Sequence, residues 1–211
     1  MADESGKSVT YYFGTRDTIT DLSSVVAMNQ IHSNIVKYVT EADIGTVISE
    51  CDGIVTDREN VPLSVKTADC VPLLMWDNSV IAAVHAGWRG TISSIAVNAV
   101  DMMISHGAVR ENIKVAVGAS ICFECYEVQS DFYDAVESAL GTEFCDMFIR
   151  QYNGQLHTDV KGMNLKLLTD NGIKPENITV CPDCTCCNMD KYYSYRGGKN
   201  KQEIMRSVIV C

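Results

Sequence analysis

A cysteine and a histidine, Cys70 and His85, stand at the outer ends of two apolar runs that flank Asp77-Asn78-Ser79. That turn composition suits a tight hairpin. With Asn78 and Ser79 as the loop, Asp77 pairs with Val80 and Pro72 falls opposite His85. Cys70 then sits just before one strand, and His85 ends the other. Both side chains reach the same rim of the sheet, about 5–8 Å apart. A thiol and an imidazole at that separation can share a metal ion or act as nucleophile and base. A register slip of one residue leaves them at the same rim.

Ala86-Gly87-Trp88-Arg89-Gly90 follows, and then an amphipathic helix. A Gly-rich turn opening onto a helix presents backbone N–H groups to an anion, and Arg89 adds a guanidinium suited to phosphate or carboxylate. Arg89, Gly90 and Thr91 are therefore the candidate phosphate cradle. The competing reading is a tight turn with a surface arginine and a packing tryptophan.

Of the four histidines, His106 adjoins Gly107 and suits a helix C-terminus. His157 precedes a helix and reads as structural. His32 is locally an ordinary loop histidine. Asp69 adjoins Cys70, but strand alternation would turn it to the other face, and it reads equally as a turn-capping carboxylate. The ten cysteines are clustered. Cys122/Cys125 and Cys181/Cys184 form two CxxC halves that could bind a structural zinc. The first half has no knuckle glycine, and Cys186 and Cys187 are surplus thiols. Reduced thiols packed together are therefore the expected state.

Period-two runs predict strands at Val9 to Phe13, Ile35 to Thr40, Gly53 to Thr56, Leu63 to Lys66, Val71 to Trp76, Val80 to His85, Ile113 to Val117, Ile178 to Cys181 and Ser207 to Val210. Helical stripes start at Ile92, with Thr91 as cap and Gly107 as stop, at Ser130, and at Asp159 with Gly172 as stop. With no linker or repeat, residues 1–211 read as one domain of α/β (α+β) class, a sandwich of helices and mixed sheets.

The chain has 211 residues, 46% of them hydrophobic, enough for a core without staples. A net charge of −10 disfavours nucleic acid and anionic membranes as partners. The first seven residues lack the apolar segment of a leader, and no run approaches the roughly 20 apolar residues of a spanning helix. A cytoplasmic protein is expected.

Thr67-Ala68-Asp69-Cys70-Val71-Pro72 and Val84-His85-Ala86-Gly87-Trp88-Arg89-Gly90-Thr91 together resemble the signature of the laccase-domain family, also called the YfiH or polyphenol-oxidoreductase family. Gln30-Ile31-His32, Asp52-Gly53-Ile54-Val55-Thr56-Asp57, Cys125-Tyr126-Glu127-Val128, Cys184-Thr185 and Tyr193-Ser194-Tyr195-Arg196 resemble its other blocks in order. The resemblance implies an α/β/β/α sandwich and a metal, zinc or alternatively copper, held by His32, Cys70 and His85. It also implies purine nucleoside phosphorolysis with adenosine deamination, a transferase and a hydrolase activity in one site. Cys70, His85 and Arg89 are then the catalytic candidates. Purine nucleosides and phosphate are the expected small-molecule partners of a monomer. The rivals are a copper-dependent polyphenol oxidase and a metal-free hydrolase using Cys70 and His85. One departure is the short stretch before Gln30, where the family carries a longer N-terminal region; it implies a more open pocket.

Overall fold

The apolar runs on either side of Asp77 form the central hairpin of the computed structural model, which describes residues 8–198, 200 and 202–211. Residues 1–7, read above as lacking a leader, lie outside the described residues. Val71–Trp76 pairs antiparallel with Ile81–Ala86, with Pro72 opposite His85 and Trp76 opposite Ile81. Asp77 closes the turn: its carboxylate accepts the amides of Ser79 and Val80, both at 2.9 Å. Its own amide donates to the Val80 carbonyl at 3.1 Å. The register argued from turn chemistry is the one the chain adopts.

This hairpin is the centre of a six-stranded sheet. Its order is Ile178–Val180, Lys114–Val117, Val71–Trp76, Ile81–Ala86, Gly53–Thr56, Val36–Tyr38. The two outermost pairs are parallel and the inner ones antiparallel. Alternation divides the buried residues between two cores. Leu73, Met75 and Val84 face the helix side with Ile95, Val100 and Met163. Ile54, Leu74 and Ala83 face a second sheet with Leu63, Val65 and Ile209. Burial on both faces explains why the hairpin strands read as continuous apolar runs. Each fully buried Leu or Met contributes about 1.5–3 kcal/mol of transfer free energy.

In the second sheet Met205–Val210 lies between Thr10–Tyr12 and Leu63–Thr67, antiparallel to both. Helices, large sheet and small sheet thus stack as the mixed α/β sandwich expected from the sequence. A smaller antiparallel sheet of Glu127–Val128, Gln155–Thr158 and Ile149–Tyr152 was not signalled by the periodicity.

The helices Ser130–Leu140 and Val160–Asp170 match their stripes. The first stripe does not form one helix. A short helix, Trp88–Ile92, precedes a break in which Ser94 is left-handed (φ 64°), and Ile95–Ser105 follows. Thr91 is therefore not a cap but lies inside the short helix, buried. Serines compete for backbone hydrogen bonds and tolerate such breaks, while the apolar stripe runs on unbroken. Gly107 (φ 100°) and Gly172 (φ 88°) end their helices in the left-handed turn expected of them. His106 caps its helix and stacks on Tyr38, with ring centroids 4.0 Å apart. Among the described residues no helix is long and apolar enough to cross a membrane.

Candidate active site

The end of the hairpin and the loop before Val36 bring three donors together. Ligand atoms of His32, Cys70 and His85 all lie within 4.8 Å of one another. The two imidazole rings meet edge-on at 4.8 Å. One ion can reach all three.

Asp52, which no sequence argument singled out, organises this corner. It is fully buried at the start of Gly53–Thr56. Its carboxylate accepts the amides of Ile31 (3.2 Å), His32 (3.0 Å) and Ser33 (2.7 Å), and the Ser33 hydroxyl (2.7 Å). His32 sits at φ 61°, a left-handed conformation costing a non-glycine residue on the order of 1–3 kcal/mol. The clamp of donors on Asp52 holds it there. The same carboxylate accepts His85 Nδ1 at 2.7 Å. Burial would raise the Asp52 pKa, but hydrogen bonds from His85 and Ser33 outweigh it and hold the group at about 2. Because Asp52 is ionised, Nδ1 of His85 carries the proton and the other ring nitrogen is left for Cys70 or a metal. This is the carboxylate–histidine arrangement that orients metal ligands.

His85 is almost fully buried. Burial lowers its proton affinity, but the Asp52 hydrogen bond and then Cys70 reverse this and lift its pKa to about 9. His32 is shifted the other way. Burial and then the neighbouring His85 hold it below its ordinary value, in the neutral form that binds metal. Gly87 completes the corner. A Cβ there would lie 2.7 Å from His32 Nδ1 and 3.4 Å from Cys70 Sγ, so any side chain would intrude between the donors. Two imidazoles and one thiol in this spacing fit zinc or copper.

The corner opens into a cavity of about 520 Å³, in the range that takes a small organic ligand. Trp88, Tyr126 and Tyr195 give it aromatic walls, and Arg89 and Arg196 line it as well. Arg89 lies over the Trp88 ring at 4.2 Å and Arg196 over the Tyr126 ring at 5.3 Å. Two guanidinium groups thus meet in one pocket of an acidic chain.

Gly90 and Thr91 are placed otherwise. Both are buried within Trp88–Ile92 and do not line the cavity. The Thr91 hydroxyl donates to the Gly87 carbonyl at 3.0 Å and accepts Asn164 Nδ2 at 2.9 Å. They brace the segment that carries Arg89 because the helix begins four residues earlier than its stripe suggests. Asp69 also departs from expectation. It precedes the strand at φ 91°, so alternation does not apply, and it lines the pocket. Its carboxylate accepts the Thr185 hydroxyl at 2.6 Å and the Arg196 amide at 2.7 Å, tying the far wall to Cys70's loop. His157 is buried, with Nδ1 3.0 Å from the Phe123 carbonyl, as a structural histidine should be.

The cysteine halves meet in a different combination from the one expected. Cys122, Cys125, Cys184 and Cys187 converge, and Cys181 does not. Cys181 instead continues the strand edge, its amide donating to the Val117 carbonyl at 2.8 Å.

The chain as a whole is similar to several known proteins. A family model described as multi-copper polyphenol oxidoreductase laccase matches residues 15–211. Purine nucleoside phosphorylase YlmD of Bacillus subtilis (strain 168) is 35% identical over 201 residues, 90% of this chain and 72% of that protein. Adenosine deaminase RL5, from an unknown prokaryotic organism, is 32% identical over 186 residues, 83% of this chain and 71% of that protein. The crystal structure of the hypothetical protein YfiH from Bacillus licheniformis superposes with a TM-score of 0.88 at 27% identity, covering 96% of this chain and 92% of that one. The chain belongs to the multi-copper polyphenol oxidoreductase laccase family.

Proposed function

We propose that this chain is a metal-dependent purine nucleoside phosphorylase, converting a purine nucleoside and phosphate to free base and ribose 1-phosphate. We further propose adenosine deamination in the same pocket, by a single domain acting as a cytoplasmic monomer. The observation that carries this reading is one cavity joining the His32/Cys70/His85 corner, two arginines and three aromatic rings. Relatives named for both activities support it.

His32, Cys70 and His85 would hold zinc, with copper as the chemical alternative. Bound there with a fourth position open, zinc would supply a Lewis acid and lower the pKa of a coordinated water. Arg89 and Arg196 bind phosphate and concentrate it against the −10 charge of the chain. Trp88, Tyr126 and Tyr195 take the flat faces of the base and exclude water. In phosphorolysis a phosphate oxygen bonds to the sugar C1′ as the bond from C1′ to the purine nitrogen breaks, and the base leaves with a proton. Asp52 keeps His85 in one tautomer throughout. Asp69 keeps Arg196 and its loop at the pocket mouth.

A second reading has its own observation. Cys70, His85 and Asp52 lie in the order of nucleophile, base and orienting carboxylate. His32 has no part in that scheme, which is why the metal reading is preferred. The test is incubation of tag-free protein with inosine, with and without phosphate. Hypoxanthine and ribose 1-phosphate formed only with phosphate support phosphorolysis. Undiminished turnover without phosphate, or in chelator-stripped protein, contradicts it.

A further inference from the structure

Four thiols meet outside the pocket, on two adjacent loops. Cys125 ends the turn Phe123–Cys125 and Cys122 precedes it. Cys184 is held beside them by a parallel bridge to Ser120, and the chain turns from there to Cys187. All four sulfurs lie within 4.8 Å of one another, with Cys125–Cys187 at 3.4 Å and Cys122–Cys187 at 4.0 Å. A tetrahedral zinc with bonds of about 2.3 Å holds its sulfurs about 3.8 Å apart, in the middle of that spread. A disulfide needs about 2.05 Å, and all four cysteines are free thiols.

The hydrogen bonding also points to a ligand. Cys184 Sγ accepts two backbone amides, from Cys122 at 3.2 Å and Cys187 at 3.4 Å. Donors aimed at a sulfur stabilise a thiolate far more than a thiol. Lys161 lies beside the cluster, donating to the carbonyls of Cys181 (2.8 Å) and Asp183 (3.4 Å). Its charge offsets the net negative charge of four thiolates around a divalent ion.

We propose that Cys122, Cys125, Cys184 and Cys187 bind a zinc ion of their own, closed and structural, independent of the His32/Cys70/His85 corner. Four protein ligands leave no open position, so this ion does no chemistry. Its work is to fasten two loops. One runs directly from Cys125 into Tyr126, a pocket wall. The other carries Thr185, whose hydroxyl holds Asp69. Cys181 and Cys186 stay outside the site.

The experiment compares zinc content in tag-free, reduced C70A and C70A/C187S proteins, the C70A background removing a ligand of the other corner. The C70A protein should keep about one zinc per chain and the double variant none. Equal zinc in the two overturns the proposal. Should the double variant not fold, differential alkylation of the C70A protein decides. Cys187 is exposed, yet it and its three partners should label about tenfold faster once a strong chelator is added. Labelling at one rate with and without chelator, or recovery of a Cys125–Cys187 disulfide, overturns the proposal as well.

Discussion

At the pocket, Cys70 shares its ligand distance with two imidazoles. Just behind the pocket wall, Cys184 shares its own with three other thiols. The pocket corner joins the end of a core strand, at His85, to two loop residues, His32 and Cys70, with Asp52 buried behind it and a cavity in front. The cysteine quartet stands on two short turns, and none of its four residues lines that cavity. Three mixed donors backed by a carboxylate and facing open space suit chemistry, whereas four thiols closing on each other suit a staple. What surrounds a cluster, more than the presence of cysteine in it, separates the two roles.

The comparison breaks first at Asp52. Asp52→Asn keeps the shape but puts an NH₂ among donors. Metal affinity at the corner should fall about 10–100-fold, read by competition with a chromogenic chelator, and the quartet's zinc should be unaffected. Loss of both metals together would show that the two sites are not independent. Gly87→Ala comes next. The added Cβ would lie 2.7 Å from His32 Nδ1 and must displace that ring, so corner affinity should fall by about tenfold. An unchanged affinity would mean that Gly87 does not shape the site. Cys187→Ser should show the opposite pattern. The melting temperature should fall by several degrees, given about 2–4 °C per kcal/mol for a chain of this size, while turnover by the remaining folded protein changes less than in either corner variant. The smallest effect is on pH dependence. In metal-free protein the folded His85 pKa of about 9 lies above the ordinary 6.5. Its contribution to stability is full below 6.5 and is lost as pH rises through 9. Melting temperature of metal-free protein should therefore decline over that window, and the decline should flatten when metal replaces the proton.

How much of this was legible in the sequence depended on range. Asp77-Asn78-Ser79 specifies its own turn through the Asp77 carboxylate, so the pairing of Pro72 with His85 could be counted outward. The break at Ser94 could not, because the apolar stripe is continuous across it. The early start of the short helix at Trp88, upstream of that break, is what buries Gly90 and Thr91 away from the pocket. Asp52 carried no local sign of its role, since its partners come from Ile31, Ser33 and His85, distant in the chain. The cysteines show the limit of spacing arguments. Cys181/Cys184 and Cys184/Cys187 are equally good CxxC halves, and tertiary structure selects the second: Cys181 is drawn into the strand edge beside Val117, whereas the turn after Cys184 brings Cys187 to Cys122 and Cys125.

In the proposed mechanism the His32/Cys70/His85 corner binds the metal on which turnover depends. Its most direct test measures bound metal and phosphate-dependent release of hypoxanthine from inosine on the same samples of wild-type and C70A protein. C70A should stay folded, lack about one metal ion per chain relative to wild type, and lose turnover by more than about 100-fold. Full turnover in C70A, or turnover lost with the metal content unchanged, would contradict that mechanism.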